Sequence, residues 1–122
     1  MIRIYENNLI WSQRLKMSLI AAGFDVQVLS SELSDFEIEN SHGFRGIDVA
    51  IVNLSATHYN PSLLITELKK AGVKIIAHAG HKEGSLLEVG EISGADLVVS
   101  NREITTKVAE LVRKLIENTD KS

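Results

Sequence analysis

The sequence predicts one α/β domain: a doubly wound, five-stranded parallel sheet in the order 2-1-3-4-5, with helices on both faces. Three observations lead there. Short apolar runs alternate along the whole chain with segments of helical periodicity. The central run, residues 47–52, is almost continuously apolar after Asp48, as a strand covered on both faces must be. Glycines stand where two of the helical segments should stop, at Gly23 and Gly72. At 122 residues the chain is long enough for one hydrophobic core and too short for two, so residues 1–122 are expected to form a single domain.

Taken in order, Ile2-Arg3-Ile4-Tyr5 reads as the first strand, stopped by Glu6-Asn7-Asn8, where asparagine can cap the helix that follows. That helix is expected over residues 9–22, with Trp11, Leu15 and Leu19 at helical spacing and Trp11 packed on the sheet. Residues 26–29 form the second strand. Residues 30–46 are the weakest stretch, where Leu33, Phe36 and Ile38 suggest a short helix among polar neighbours. Residues 47–52 are the third strand. Asn60-Pro61 starts a helix with a cap and a proline in its first turn, and Leu64, Leu68 and Ala71 give its inner face. Residues 73–77 are the fourth strand. The next helix, residues 85–93, contains Gly90, which costs about 1 kcal/mol relative to alanine and marks it as the least rigid of the set. Residues 96–99 are the fifth strand. Ile104, Val108, Leu111, Val112, Leu115 and Ile116 line one side of a last helix, with Glu103/Lys107 and Glu110/Lys114 four apart on its wet side.

Composition narrows the function by exclusion. A net charge of −3 offers no basic face for direct nucleic-acid binding. No apolar run approaches a membrane span, and the N-terminus reads as a strand, not a signal peptide, so a cytoplasmic location is expected. With no cysteine, disulfides, thiol chemistry and Cys-based zinc sites are ruled out.

In a sheet of this order the ligand crevice lies beyond the carboxyl ends of the strands, where the strand order reverses. Those ends supply Glu6, Asn7, Asn53, Ala79, Ser100 and Asn101. Ile2-Arg3-Ile4-Tyr5-Glu6-Asn7, Ile47 through Leu54, Lys74 through Ala79 and Gly94-Ala95-Asp96-Leu97-Val98-Val99-Ser100-Asn101 together resemble response-regulator receiver domains. Those are the phosphorylation-switched modules of two-component signalling. The resemblance covers nearly the whole chain and implies a flavodoxin-like fold. Carried over residue by residue, it also implies a degenerate site. The family's metal-holding acidic pair becomes Glu6 and Asn7, its phospho-acceptor aspartate Asn53, its hydroxyl Ala79 and its lysine Asn101. A register shift by one would substitute Gly80 or Ser100 and restore neither aspartate nor lysine. An amide is a poor nucleophile and brings no charge to hold a metal. The expectation is a pseudo-receiver: no enzyme, no cofactor and no bound metal, but a phosphorylation-independent protein-protein interaction module in signalling or transcriptional regulation. The resemblance implies a signalling or regulatory protein as partner, or a homodimer, using the fourth helix, fifth strand and fifth helix, with Lys107, Arg113 and Lys114 as the candidate interaction face. With no output segment after Ser122, an effect on DNA is expected to pass through another chain.

Alternative chemistry is weaker. A small-ligand or metal-binding domain, with an enzyme as its extreme case, would use Glu6, Asn53, His58, His78 and His81, whose spacing matches no known ligand pattern. Gly80, Gly84 and Gly90 form no dinucleotide fingerprint, no Walker lysine motif exists, and Ser55 and His58 lack a nucleophile elbow. Phosphorylation at Ser55 or Thr57 would meet too little positive charge. Ser55 through Asn60 reads most simply as a polar loop capping a helix.

Overall fold

The structure is a computed structural model and describes residues 1–120. Its elements run β1 (Ile2–Tyr5), α1 (Leu9–Ala21), β2 (Val26–Leu29), α2 (Asp35–Glu39), β3 (Val49–Asn53), α3 (Pro61–Lys70), β4 (Lys74–Ala79), α4 (Gly84–Ser93), β5 (Leu97–Ser100) and α5 (Asn101–Asp120). The strands form one parallel sheet in the order β2-β1-β3-β4-β5. Among the described residues no helix is long and apolar enough to cross a membrane.

Strand parity builds two cores. Ile2, Ile4, Val49, Ile51, Ile76 and Val99 face α1 and α5, meeting Leu15, Leu19, Ile104, Val108 and Val112. Ala50, Val52, Ile75, Ala77 and Ala79 face the other way, toward α3, meeting Leu64, Ile65 and Leu68. Successive side chains alternate between faces, so a central strand with both faces covered is apolar throughout.

The helices stop and start by identifiable chemistry. Asn8 Oδ1 accepts from the Trp11 N–H at 3.0 Å, and Asn60 Oδ1 from the Leu63 N–H at 3.2 Å. In α2, Ser34 and Glu37 form a reciprocal capping box, an S-x-x-E signal that fixes the helix where hydrophobic spacing alone left it vague. Ile38 is its buried residue, while Phe36 is 74% exposed.

Several expectations shift. β3 begins at Val49 instead of residue 47, although the Asp48 N–H still donates to the Met1 carbonyl and its carbonyl accepts from the Lys74 N–H; the exposed Asp48 carboxylate pairs with the N-terminal ammonium group. Leu15 and Leu19 are buried as expected, but Trp11 is only half-buried, and Ser12 takes its place on the inner face of α1. Gly90 proves to be a packing requirement. A Cβ there would lie 3.0 Å from Leu54 Cδ1 and 3.3 Å from both Ala77 Cβ and Val98 Cγ2, so its absence lets α4 sit close on the sheet. Helix α5 departs from helical geometry at Lys107 (φ −131°, ψ 19°). The Thr105 and Thr106 hydroxyls donate back to the carbonyls of Asn101 and Arg102, a pattern that bends helices. Glu103, Lys107, Glu110 and Lys114 are exposed as expected, but among the described residues they form no ion pairs, and the kink falls on Lys107 itself.

Candidate functional site

The same parity that builds the α1/α5 core selects the crevice. Two positions beyond Ile4, Ile51, Ile76 and Val99 stand Glu6, Asn53, His78 and Asn101, and these four emerge together past the carboxyl ends of the strands. With Asn8 and Trp11 from the start of α1 they line a crevice of about 170 Å³.

Three of the five sequence-predicted positions therefore meet, and two do not. Asn7 is exposed and lies outside the crevice lining. Ala79 is fully buried in the opposite core. The strand-four residue that registers with Asn53 is His78, one position earlier than expected, because Ala79 has the wrong parity.

The polar groups at the centre of the crevice are tied to one another. Glu6 is 5% exposed. Its Oε1 accepts from the Asn8 N–H at 3.1 Å and its Oε2 from Asn53 Nδ2 at 2.9 Å. Asn53 Oδ1 accepts from both the backbone N–H and the hydroxyl of Ser55, at 3.0 and 2.8 Å, closing an Asx turn. His78 Nδ1 lies 2.7 Å from Asn101 Oδ1, an acceptor, which assigns the ring proton to Nδ1. Burial lowers the His78 pKa, opposed by the hydrogen bond to Asn101 and by the Glu6 charge. The ring is held toward its neutral form.

Sequence reasoning missed Tyr59. Its buried hydroxyl accepts from the Asn53 backbone N–H at 3.0 Å, lies 2.9 Å from the Tyr5 carbonyl as donor, and is 3.2 Å from the Asn53 carbonyl. It thereby ties the ends of β1 and β3 together behind the crevice. Burial raises its pKa strongly, so it is a neutral donor at physiological pH. No local motif announces this role; the polar run before Asn60-Pro61 gave only a loop.

The histidines do not converge. His78 lines the crevice, whereas His58 is buried against Tyr59 on another groove and His81 is exposed. Among the described residues no three His, Asp or Glu side chains come together as metal ligands. Ser55 is tied to Asn53, and Thr57 is exposed beside a second groove. Lys107, Arg113 and Lys114 are all exposed on α5.

No family model and no curated protein matches the chain. Solved structures do. A CheY-like response regulator receiver domain protein from Methanospirillum hungatei aligns at 17% identity with a TM-score of 0.78, covering 98% of this chain and 95% of its own. The receiver domain of NtrX from Brucella abortus aligns at 11% identity and TM-score 0.78, covering 96% and 98%. The signal receiver domain of an HD domain-containing protein from Pseudomonas fluorescens aligns at 13% identity and TM-score 0.78, covering 98% and 88%. Identities this low speak to architecture, and on architecture they agree with the strand order: the chain has the receiver-domain fold.

Proposed function

We propose that this protein is a pseudo-receiver, a phosphorylation-independent interaction module in signalling or transcriptional regulation whose surface, not its crevice, carries the function. The observation that carries the reading is the Asn53 side chain at the end of β3, spending its N–H on Glu6 and its oxygen on Ser55. A phosphoryl acceptor at that position needs a free carboxylate, a metal and a cation to receive the new charge. The crevice lining instead holds one carboxylate, three asparagine amides, an imidazole and an indole. The space is also small for a ligand site, about 170 Å³ against roughly 300–1,000 Å³ for typical pockets.

Exposed apolar side chains support an interaction role: Leu9, Ile10 and Met17 on α1, and Ile92, 85% exposed, on α4. The α4–β5–α5 surface, with Lys107, Arg113 and Lys114, is the proposed docking face for a regulatory partner or a second copy of the chain.

The test is an amide-fingerprint NMR titration with Mg²⁺ and beryllofluoride, an aspartyl-phosphate mimic. The expected result is no shift at Glu6, Asn53 or His78. Saturable shifts centred there would return the crevice to first place as a ligand site. For the docking face, charge reversal at each of the three basic residues should weaken association with the fold intact. If association survives all three, that face is excluded and the apolar side chains of α1 become the next target.

A further inference from the structure

Helix α1 carries apolar side chains on opposite sides, and the sheet accounts for only one of them. Leu15 and Leu19, on its inner face, are buried in the core shared with α5. On the outer side Leu9, Ile10, Met17 and Ile20 are 72%, 79%, 69% and 51% exposed. At 3.6 residues per turn these four fall within an arc of about 100°, over a length of about 17 Å. A helix with apolar residues on both sides belongs between two layers, and among the described residues only one layer is present. The other exposed large apolar side chains, Phe36 on α2 and Ile92 on α4, stand singly.

The outer stripe reads alike from either end. Two apolar residues open it, Gln13 and Lys16 stand at its middle, and two apolar residues close it. Turned end over end about a point between residues 14 and 15, the pattern falls on itself. Leu9 then meets Ile20 of a second copy, Ile10 meets its Met17, and Gln13 meets its Lys16. Each contact occurs twice, on the same edge of the stripe, which is the self-complementarity a two-fold interface requires. Among the described residues the side chains of Gln13 and Lys16 have no partner, so the Gln13 carbonyl is free to accept from the Lys16 ammonium group of the second copy. Arg14 lies at the rim, where two guanidinium groups extend into water and are screened.

Area points to the same occupant. A homodimer interface of standard size takes about 800 Å² from each partner, about 65% of it apolar, which is roughly 500 Å². Four side chains of this size at these exposures leave roughly 500 Å² of apolar surface, near the top of what the largest patch on a monomer presents. We propose that the outer face of α1 is a homodimer interface, with α1 packed antiparallel on α1 of a second copy about a two-fold axis. The second copy then sits on α1, and the α4–β5–α5 surface is left to a regulatory partner. The inference does not rest on the pseudo-receiver reading, since self-association is measured without any phosphoryl group.

The experiment is sedimentation equilibrium of the full chain from about 1 μM to 1 mM, a range in which mass action resolves a weak dimer. A reversible dimer with a micromolar dissociation constant is expected. Met17→Glu should raise that constant at least tenfold, and Ile10→Glu, at the other end of the stripe, should do the same. Both positions are exposed, so the far-UV circular dichroism of either variant should match the wild type. Ile92→Glu should leave the constant unchanged. The chain has no cysteine, so L9C/I20C under mild oxidation should form a covalent dimer without background. Cysteines at these positions are too far apart along one helix to bridge within it. A monomer at every concentration, a dimer indifferent to both α1 variants, or a dimer lost in Ile92→Glu instead overturns the proposal. So does a dimeric L9C/I20C sample that fails to cross-link. A monomer that floats with phosphatidylserine vesicles, and ceases to in Met17→Glu, overturns it by giving the face to a lipid surface.

Discussion

Two buried tyrosines pack edge to face behind the crevice, with ring centroids 6.1 Å apart, and their hydroxyls do unequal work. Tyr59 Oη accepts from the Asn53 N–H and donates to the Tyr5 carbonyl. Tyr5 Oη has a single 3.5 Å contact from Arg3 Nη1, at the limit of a hydrogen bond. Tyr59→Phe keeps the ring and strands a part-buried amide N–H at the last residue of β3. An unsatisfied donor costs about 1–3 kcal/mol, so a loss of about 2 kcal/mol is expected. With a urea slope of roughly 2 kcal/mol/M, the midpoint falls by about 1 M. Tyr5→Phe removes only the marginal contact and should cost under about 0.5 kcal/mol. Equilibrium urea unfolding of the wild type and both variants, with the slope checked for constancy, measures the difference. If Tyr59→Phe is no more harmful than Tyr5→Phe, the hydroxyl is not the tie between β1 and β3 and the account of how Asn53 is held is wrong.

Asn53→Asp removes the Nδ2–H donor from Glu6 Oε2, 2.9 Å away, and puts a second carboxylate against it. The variant should lose about 2 kcal/mol without metal and recover part of that in millimolar Mg²⁺. Thermal melts with and without the ion read this out, and indifference to both changes argues against the geometry. Gly90→Ala sets a helix-propensity gain of about 1 kcal/mol against overpacking worth about 1–3 kcal/mol. Ala77 Cβ is fixed to the β4 backbone and Leu54 is buried, so neither yields easily and a net loss of about 1 kcal/mol is expected. A variant as stable as the wild type would mean that α4 can lift off the sheet without cost. His78 has a folded-state pKa below the usual 6.5, so below that pH the unfolded chain binds more protons than the folded one. Its contribution is present in full above about pH 6.5 and declines as the pH falls toward the lowered folded value. Urea midpoints measured from neutral to mildly acidic pH should fall more steeply for the wild type than for His78→Gln. Parallel slopes would show that another group titrates.

The scaffold was legible because its signals are redundant. Asn60-Pro61 and Gly72 bracket α3, and apolar runs mark β1, β3 and β4, whose parity follows from the sheet. The capping box of α2 stands in the sequence as Ser34 and Glu37, whereas hydrophobic spacing misleads there because Phe36 faces solvent. The site was half legible. Counting by two from Ile4, Ile51, Ile76 and Val99 reaches Glu6, Asn53, His78 and Asn101. Counting from the last apolar residue of β4 reaches Ala79, which is buried on the wrong face. Tyr59 and the unpartnered ring of His58 were not legible, because the partners of the first and the isolation of the second are set by loop geometry.

The hydrogen bonds that join Glu6, Asn53 and Ser55 bear on how such a module could change state. A phosphoryl group would add roughly −1.5 to −2 of charge beside the buried carboxylate of Glu6, in a crevice whose lining has no lysine or arginine. The amide donor of Asn53 that eases the Glu6 charge is already in use, so the addition would bring repulsion that no cation in the lining offsets. A ligand shifts a conformational equilibrium only by its differential affinity for the two states. On the pseudo-receiver reading that differential has to come from groups still free to gain partners. The Glu6 carboxylate and the Asn53 amide are already engaged with each other and with Asn8 and Ser55; the exposed Ile92, the basic residues of α5 and the apolar side chains of α1 are free to gain partners. Regulation of this chain is then a matter of what docks on its surface.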